Sequence, residues 1–429
     1  SEEDFMKGIR WLSDLKIRGG WGIMGNQINL SSDNAFSTYI ANKESSYYDI
    51  TGSNNSVTQG FEQGRFGNPD AKWEKDINTN IGFDATLFRG AINITADYYM
   101  KNIKDLLFNP ELPGTYGRAV APYVNIAQMK NTGVDISVSG HADLTRDLKF
   151  DGTLTFTTYH NRITKVTDDV DYFYSGDGRT FGDKFIKNQV GHAVGSFYGY
   201  KIIGFWNSAD EITHADQKAQ QTTGASDATY QTDEGVGRFR YADVNGDGQI
   251  TSDDRTFLGN PSPSFSYGLN LGLTYKNFDC SIFVYGSQGN KIWNQVSWWT
   301  DFYPSFSGAK SHIALYDAWT SAHHNAKVPL PEVQGYASTN GVPNSYYIED
   351  GSYLRAKNLV LGYTLPKSPL SRLGIDNLRI YVQATNLFTI TRYSGQDPEI
   401  NGKGVTEFAI DEGSYPNTRQ FIAGVNLKF

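Results

Sequence analysis

The chain has 429 residues, 39% of them apolar and 14% aromatic, with 44 glycines and a formal net charge of −8. Mean hydropathy is −0.47, and no apolar run reaches the roughly 20 residues that a spanning helix needs, so a helical membrane protein is excluded. The acidic balance argues against nucleic acid as a partner, and the single cysteine, Cys280, excludes an intramolecular disulfide.

Ten segments alternate apolar with small or polar residues at the period of a strand. In the first, Leu15, Ile17, Trp21 and Ile23 share one face. The second sets Ile77, Ile81, Phe83 and Leu87 against Asn78, Asn80, Gly82 and Asp84. A turn at Arg89-Gly90 leads to a third, where Ile92, Ile94, Ala96 and Tyr98 oppose Asn93, Thr95 and Asp97. The fourth alternates Val134, Ile136 and Val138 with Asp135, Ser137 and Ser139. The fifth does the same with Phe150, Leu154 and Phe156 against Asp151, Thr153 and Thr155.

After a long gap, Phe265 to Tyr275 forms the sixth, and a turn at Lys276-Asn277 feeds Phe278, Cys280, Ile282 and Val284. Leu359 to Leu365, Leu378 to Thr385 and Phe421 to Phe429 complete the series. Segments near ten residues suit tilted strands that cross a bilayer with lipid on one face and water on the other. The links alternate as well. Short ones fall near 89–91, 142–149, 276–277 and 366–377; long ones fall near 25–75, 105–123, 160–263, 287–350 and 391–417. Bacterial barrels have short periplasmic turns and long extracellular loops. With the C-terminus at the periplasmic edge, every short link falls on that side. The fold class expected is all-β, a transmembrane antiparallel β-barrel with long extracellular loops. A large soluble sandwich or β-helix is the competing reading, because half-buried strands alternate too.

The loops hold one sharp motif, Asp243-Val-Asn-Gly-Asp-Gly-Gln-Ile-Thr-Ser-Asp-Asp254. It follows the pattern of a calcium loop: Asp243, Asn245 and Asp247 offer side-chain oxygens, Gln249 a backbone carbonyl, and Asp254 closes at position twelve. Calcium structuring an extracellular loop is the expectation, against an acidic Gly-rich turn without an ion. Trp293, Trp298, Trp299 and Tyr303 crowd another loop, where aromatics can stack on sugar faces or peptide side chains, pack the loop, or meet a partner. Segments 208–221 and 312–319 read as short helices. The adjacent His323 and His324 read as solvated. No Ser-His-Asp arrangement has a nucleophile elbow and no carboxylate pair has diagnostic spacing, so an enzyme is not expected.

Several segments together resemble the SusC/RagA family of TonB-linked outer-membrane transporters. They are Trp11-Leu-Ser-Asp-Leu-Lys-Ile-Arg-Gly-Gly-Trp-Gly-Ile-Met-Gly-Asn26, Asn68-Pro-Asp-Ala-Lys-Trp-Glu74, Asp97-Tyr-Tyr, Lys130-Asn-Thr-Gly-Val-Asp135 and Ser196-Phe-Tyr-Gly-Tyr200. Further on come the acidic motif from Asp243, Gly259-Asn-Pro-Ser-Pro263, Tyr353-Leu-Arg-Ala-Lys-Asn-Leu359, Asn386-Leu-Phe388, Tyr415-Pro-Asn-Thr-Arg419 and the final Phe429.

What the resemblance implies is a 22-stranded barrel with an N-terminal plug and a TonB box, working under a SusD-like surface lipoprotein lid. The chain resembles the C-terminal barrel portion across residues 1–429. Residues 160–263 form a long extracellular loop region that carries the candidate calcium loop. No segment resembles the plug or the TonB box, and the Ser-Glu-Glu-Asp start shows no signal peptide. The function implied is import of oligomeric nutrients across the outer membrane of a Gram-negative bacterium, oligosaccharide first and oligopeptide next. The alternatives are a secreted calcium-dependent glycan-active enzyme or lectin, and a passive porin. Phe429 is similar to the terminal aromatic read as a barrel-assembly signal.

Overall fold

The computed structural model describes the chain apart from residues 1–2, 4–7, 28–31, 53–56, 110–111, 113, 168–169, 177–179 and 367–373. Most of the Ser-Glu-Glu-Asp start and part of the link near 366–377 therefore lie outside the described residues.

Ten long strands form one continuous antiparallel wall: β1 (Leu12–Asn26), β2 (Glu74–Leu87), β3 (Ile92–Phe108), β4 (Val124–Asp143), β5 (Leu148–Thr158), β6 (Phe265–Tyr275), β7 (Phe278–Gln288), β8 (Tyr353–Thr364), β9 (Asn377–Thr385) and β10 (Gln420–Lys428). They pair strictly in chain order, each with the next. Short strands His160–Lys165 and Thr389–Thr391 join the wall beside β4 and β8. All ten segments expected from the alternation are strands, and they neighbour one another in sequence order.

The register keeps the apolar rows in line. Ile17 faces Phe83, Leu271 faces Ile282, and Ile380 faces Val425. These rows stand uncovered, with Ile17 78% and Trp21 69% exposed, and Phe278, Phe421 and Val425 also open. A belt of large apolar side chains this extensive on a water-soluble protein would be an aggregation site; against lipid it is the outer surface of a barrel. No helix among the described residues is long and apolar enough to cross a membrane.

β3 and β4 run well past the ends that the alternation marks, to Phe108 and from Val124. A bulge at Asp105, whose φ is 57°, turns the extension. There Leu107 and Phe108 become buried, with Phe108 against Phe173 at 4.1 Å. The extension lies at the long-loop end, where apolar residues meet loop rather than lipid, so alternation ceases.

At that end the loops fold into a cap with sheets of its own. Tyr172–Ser175, Ile186–Gln189, Phe197–Tyr200 and Arg255–Gly259 make a four-stranded sheet, and Ile202–Phe205 pairs with Phe239–Tyr241. Lys291–Asn294 lies between Ile348–Asp350 and Ile410–Asp411, tying three loops together. The main dry core sits here and not in the wall: Phe181, Phe185, Phe197, Phe239, Tyr241, Trp293, Phe302 and Tyr347 pack in one cluster. The cap also holds helices α1 (Ala209–Thr223), α2 (Gln295–Asp301) and α3 (His312–Tyr316). α1 is N-capped by Ser208 and closed by Gly224 in the left-handed region, the usual pairing of a polar N-cap with a terminal glycine.

Candidate functional site

The inward face of the wall is polar and is braced by ion pairs that reach over glycine. Arg18, Gly82 and Asp97 lie side by side on β1, β2 and β3. Arg18 donates through Nε to Asp84 at 2.8 Å and through Nη2 to Asp97 at 2.8 Å. A Cβ on Gly82 would collide with the Asp97 carboxylate. The same device recurs across β7, β8 and β9, where Arg379 donates to both oxygens of Asp279 at 2.9 and 2.5 Å. A Cβ on Gly362 would lie 2.5 Å from each partner. The glycines let a guanidinium lie flat across the middle strand. Tyr381 and Tyr99 lean over Gly424 and Gly133 in the same way. Alternation places these polar residues inward, but their partners depend on register, which no local pattern supplies.

The acidic motif folds as a compact turn between two cap strands. Asp243 accepts from the N–H groups of Gly246 and Gly248 at 2.6 and 3.0 Å, with both glycines at positive φ. Asn245 and Asp247 accept from the N–H groups of Asp247 and Gln249. Ligand-capable oxygens of Asp243, Asp247 and Asp254 lie within 4.8 Å of one another. Asp254 is fully buried, and its oxygens accept from the N–H of Val244 at 2.7 Å and of Thr251 at 2.8 Å. It also completes a capping box on the short turn Ser252–Asp254. Gln249 turns its side chain to the Thr229 carbonyl, which leaves the backbone as its route to a cation. The donor set is hard oxygen throughout, the chemistry that calcium takes.

The aromatic segment divides. Trp293 has 0% exposure, stacks on Phe185 at 4.3 Å and donates to Gln295, so it packs the cap and meets no solvent. Sequence reasoning grouped it with contact residues because a buried and an exposed Trp look alike when no period is present. Trp298 donates to the Asn340 carbonyl and packs against the same core, while Trp299 stands half-buried beside it. Tyr303 is exposed and helps line a cavity of about 570 Å³ with Leu315, Tyr316, Trp319 and Leu330. Lys310 donates to the carbonyls of Trp299, Phe302 and Phe306, closing α2 and fixing the cavity rim. His323 bonds Asp317 at 2.9 Å and His324 stacks on Trp319; both are exposed.

One polar cluster escaped the sequence reading. Arg355 at the outer end of β8 reaches Asp397 at 2.5 Å and Glu399 at 2.7 Å, and Lys357 also reaches Glu399. Asn417 donates to Asp397 from its backbone and its side chain. The cluster fastens the loop 386–419 to the wall. Its members stand some forty residues apart in sequence, and no spacing rule joins them.

The model of the TonB dependent receptor-like β-barrel family matches residues 8–387. The TonB-dependent receptor P3 of Formosa agariphila is 32% identical over the whole chain, which covers 41% of it. The TonB-dependent receptor SusC of Bacteroides thetaiotaomicron is 29% identical over the whole chain, covering 39%. A solved structure of the RagAB peptide transporter superposes with a TM-score of 0.76 at 25% identity, over 99% of this chain and 42% of that one. The chain thus spans about two fifths of the length of the relatives it matches.

Proposed function

This chain belongs to the TonB-dependent receptor β-barrel family, of SusC/RagA type, and from that premise we propose that it serves in TonB-driven import of oligomeric nutrients. Its wall is an integral part of an outer-membrane barrel. The observation that carries the proposal is a ten-stranded wall, open to lipid on one face and polar on the other, that matches both relatives over nearly its whole length. The relatives are receptors and transporters, so a secreted glycan-active enzyme or lectin loses its support. Energy coupling through a plug and TonB box, rather than passive porin flow, is part of the proposal.

In this reading the polar face lines the lumen and the folded cap shapes the mouth and meets a SusD-like lipoprotein lid. Oligosaccharides are the leading cargo, with the exposed rings of Tyr303 and Tyr316 available for stacking at the apolar cavity. Oligopeptides come next, favoured by the likeness to a peptide transporter. Calcium at Asp243, Asn245, Asp247, Asp254 and the Gln249 carbonyl would stiffen the turn, and Phe429 would act as the assembly signal. The test is whole-cell uptake of labelled oligosaccharides and oligopeptides with and without the gene, and with and without TonB. Uptake that needs both is expected; uptake indifferent to TonB refutes the coupling, and no gene-dependent uptake of either class refutes the import reading.

A further inference from the structure

A second cavity opens beside the hairpin Ile202–Phe205/Phe239–Tyr241, with a volume of about 600 Å³ and a mostly polar lining. Arg240, Asn207, Glu211, His324, Asn325 and Lys327 line it. Arg240 differs from the other cap arginines that are withdrawn from solvent among the described residues. Its neighbour Arg238 is held by both oxygens of Glu332, Arg255 pairs with Asp183, and Arg355 pairs with Asp397 and Glu399. Among the described residues no carboxylate lies within ion-pair distance of Arg240. Instead its guanidinium stacks on Trp206 at 4.6 Å and stands 5.6 Å from the ring of Tyr230.

Two buried donors in that stack, Nε of Arg240 and Nε1 of Trp206, have no acceptor. A desolvated donor without a partner is costly, and a charged one more so. A planar guanidinium buttressed by aromatic faces is also already oriented to receive a two-oxygen acceptor. Besides Arg240 the lining carries one further strong cation, Lys327, and one acid, Glu211. Lys327 also lines the cavity, 3.8 Å from an Asp317 carboxylate whose other oxygen is engaged by His323. Glu211, the one acid in the lining, accepts from the Asn207 backbone N–H at 2.9 Å as part of the start of α1. Asn325 adds an amide suited to hydroxyl or peptide groups next to an acid.

We propose that this cavity is a carboxylate-binding subsite in which Arg240, seconded by Lys327, takes an acid group of the ligand. The acid is a uronate of an acidic oligosaccharide or a carboxylate of an acidic peptide; the shared chemistry is a planar anion at a stacked guanidinium. The proposal deepens the import reading and rests on it for where the ligand goes next, although binding itself is measured without transport.

The test is titration calorimetry on the full-length transporter in detergent. The probes are a hexameric oligogalacturonate, its methyl ester, an acidic hexapeptide and the same peptide with its acids amidated. One acid probe should bind, and its uncharged counterpart about tenfold more weakly or worse, since charge-assisted contacts are the strong ones. Arg240→Gln should weaken the acid probe about tenfold and Lys327→Gln a few-fold, both effects shrinking at high salt. Which acid binds separates the two sources. Equal affinity for acid and ester (or acid and amide), no effect of Arg240→Gln, or no binding of either acid overturns the subsite. Should Arg240→Gln fail to give a heat-modifiable folded barrel, the wild-type comparison and the surface variant Lys327→Gln decide. Acid binding without TonB-dependent uptake would strike the import reading and leave the subsite standing.

Discussion

Replacing Arg355 by Met should free the loop 386–419 from the wall without unfolding the barrel. The Arg355 side chain is 3% exposed and lies between Asp397, 7% exposed, and Glu399; its Nε also donates to Thr389. Removing one partner of a buried ion pair costs about 3–5 kcal/mol, because the remaining charge stays desolvated. Here Asp397 keeps the N–H groups of Glu399 and Asn417, and Glu399 keeps Lys357. The loss therefore belongs at the low end, about 3 kcal/mol, which raises local opening roughly a hundredfold. Hydrogen exchange measured by mass spectrometry across 386–419 reads this directly.

Burial pushes the Asp397 carboxyl up, but the hydrogen bonds from Arg355 and from backbone N–H groups outweigh it and hold it below the usual range. A depressed carboxylate contributes stability above its unfolded pKa and loses it as pH falls through the folded value. Protection of the loop should therefore fall in acid, below about pH 4, and the fall should be smaller in Arg355→Met. Exchange in 386–419 that changes by less than a few-fold on substitution would refute the claim that this cluster fastens the loop.

Burial, with Asp216 beside it, pushes Glu234 up to about 8. An acid raised on folding costs stability as pH climbs from its unfolded value through the folded one, so Glu234→Gln should flatten a decline between about pH 5 and 8 and gain ~1–2 kcal/mol at pH 9, after discounting for partial exposure. Thermal midpoints of the two proteins against pH check it. Gly362→Val should wedge Arg379 from Asp279 and lower the midpoint of heat-modifiable migration, at a cost of about 1–3 kcal/mol, whereas a wild-type midpoint would mean that the close approach relaxes freely. Saturating calcium should raise the melting temperature of the wild type and leave Asp247→Asn unmoved. Asp254→Asn should lose about 1–2 kcal/mol with or without calcium, since its oxygens hold backbone N–H groups; a wild-type melting temperature indifferent to calcium removes the cation from the turn.

The wall was legible because its physics is local. Each strand must show lipid one side and water the other, so Leu269, Leu271 and Leu273 alternate with Asn270 and Gly272 whatever their neighbours do. Link length then sets which strands pair, and sequence order follows. The strand ends were less legible: beyond Lys101 the residues Leu106, Leu107 and Phe108 all turn apolar, because cap replaces lipid on one side and water on the other. Phe265 to Tyr275, which meets a tight turn below and a proline-containing segment above, was marked at both ends.

The cap was illegible for the opposite reason. Its core draws Phe181, Phe239, Trp293 and Tyr347 from loops far apart in the chain, and strands of three or four residues are too short to show a period. Trp293 and Tyr303 sit ten residues apart with the same aromatic character; only the folded cap buries the first and exposes the second. The acidic turn could be read because its clustered oxygens come from one contiguous segment, with glycines at the two positions where φ is positive. Arg240 could not, since its distinction is the carboxylate it lacks, and a missing partner has no sequence. A wall held between lipid and water has little freedom to differ, while a cap closed by long-range contacts has more. Substitutions at Arg240 or Tyr303 should therefore change what is bound, and substitutions at Gly82, Gly362 or Arg379 should change only whether the barrel forms.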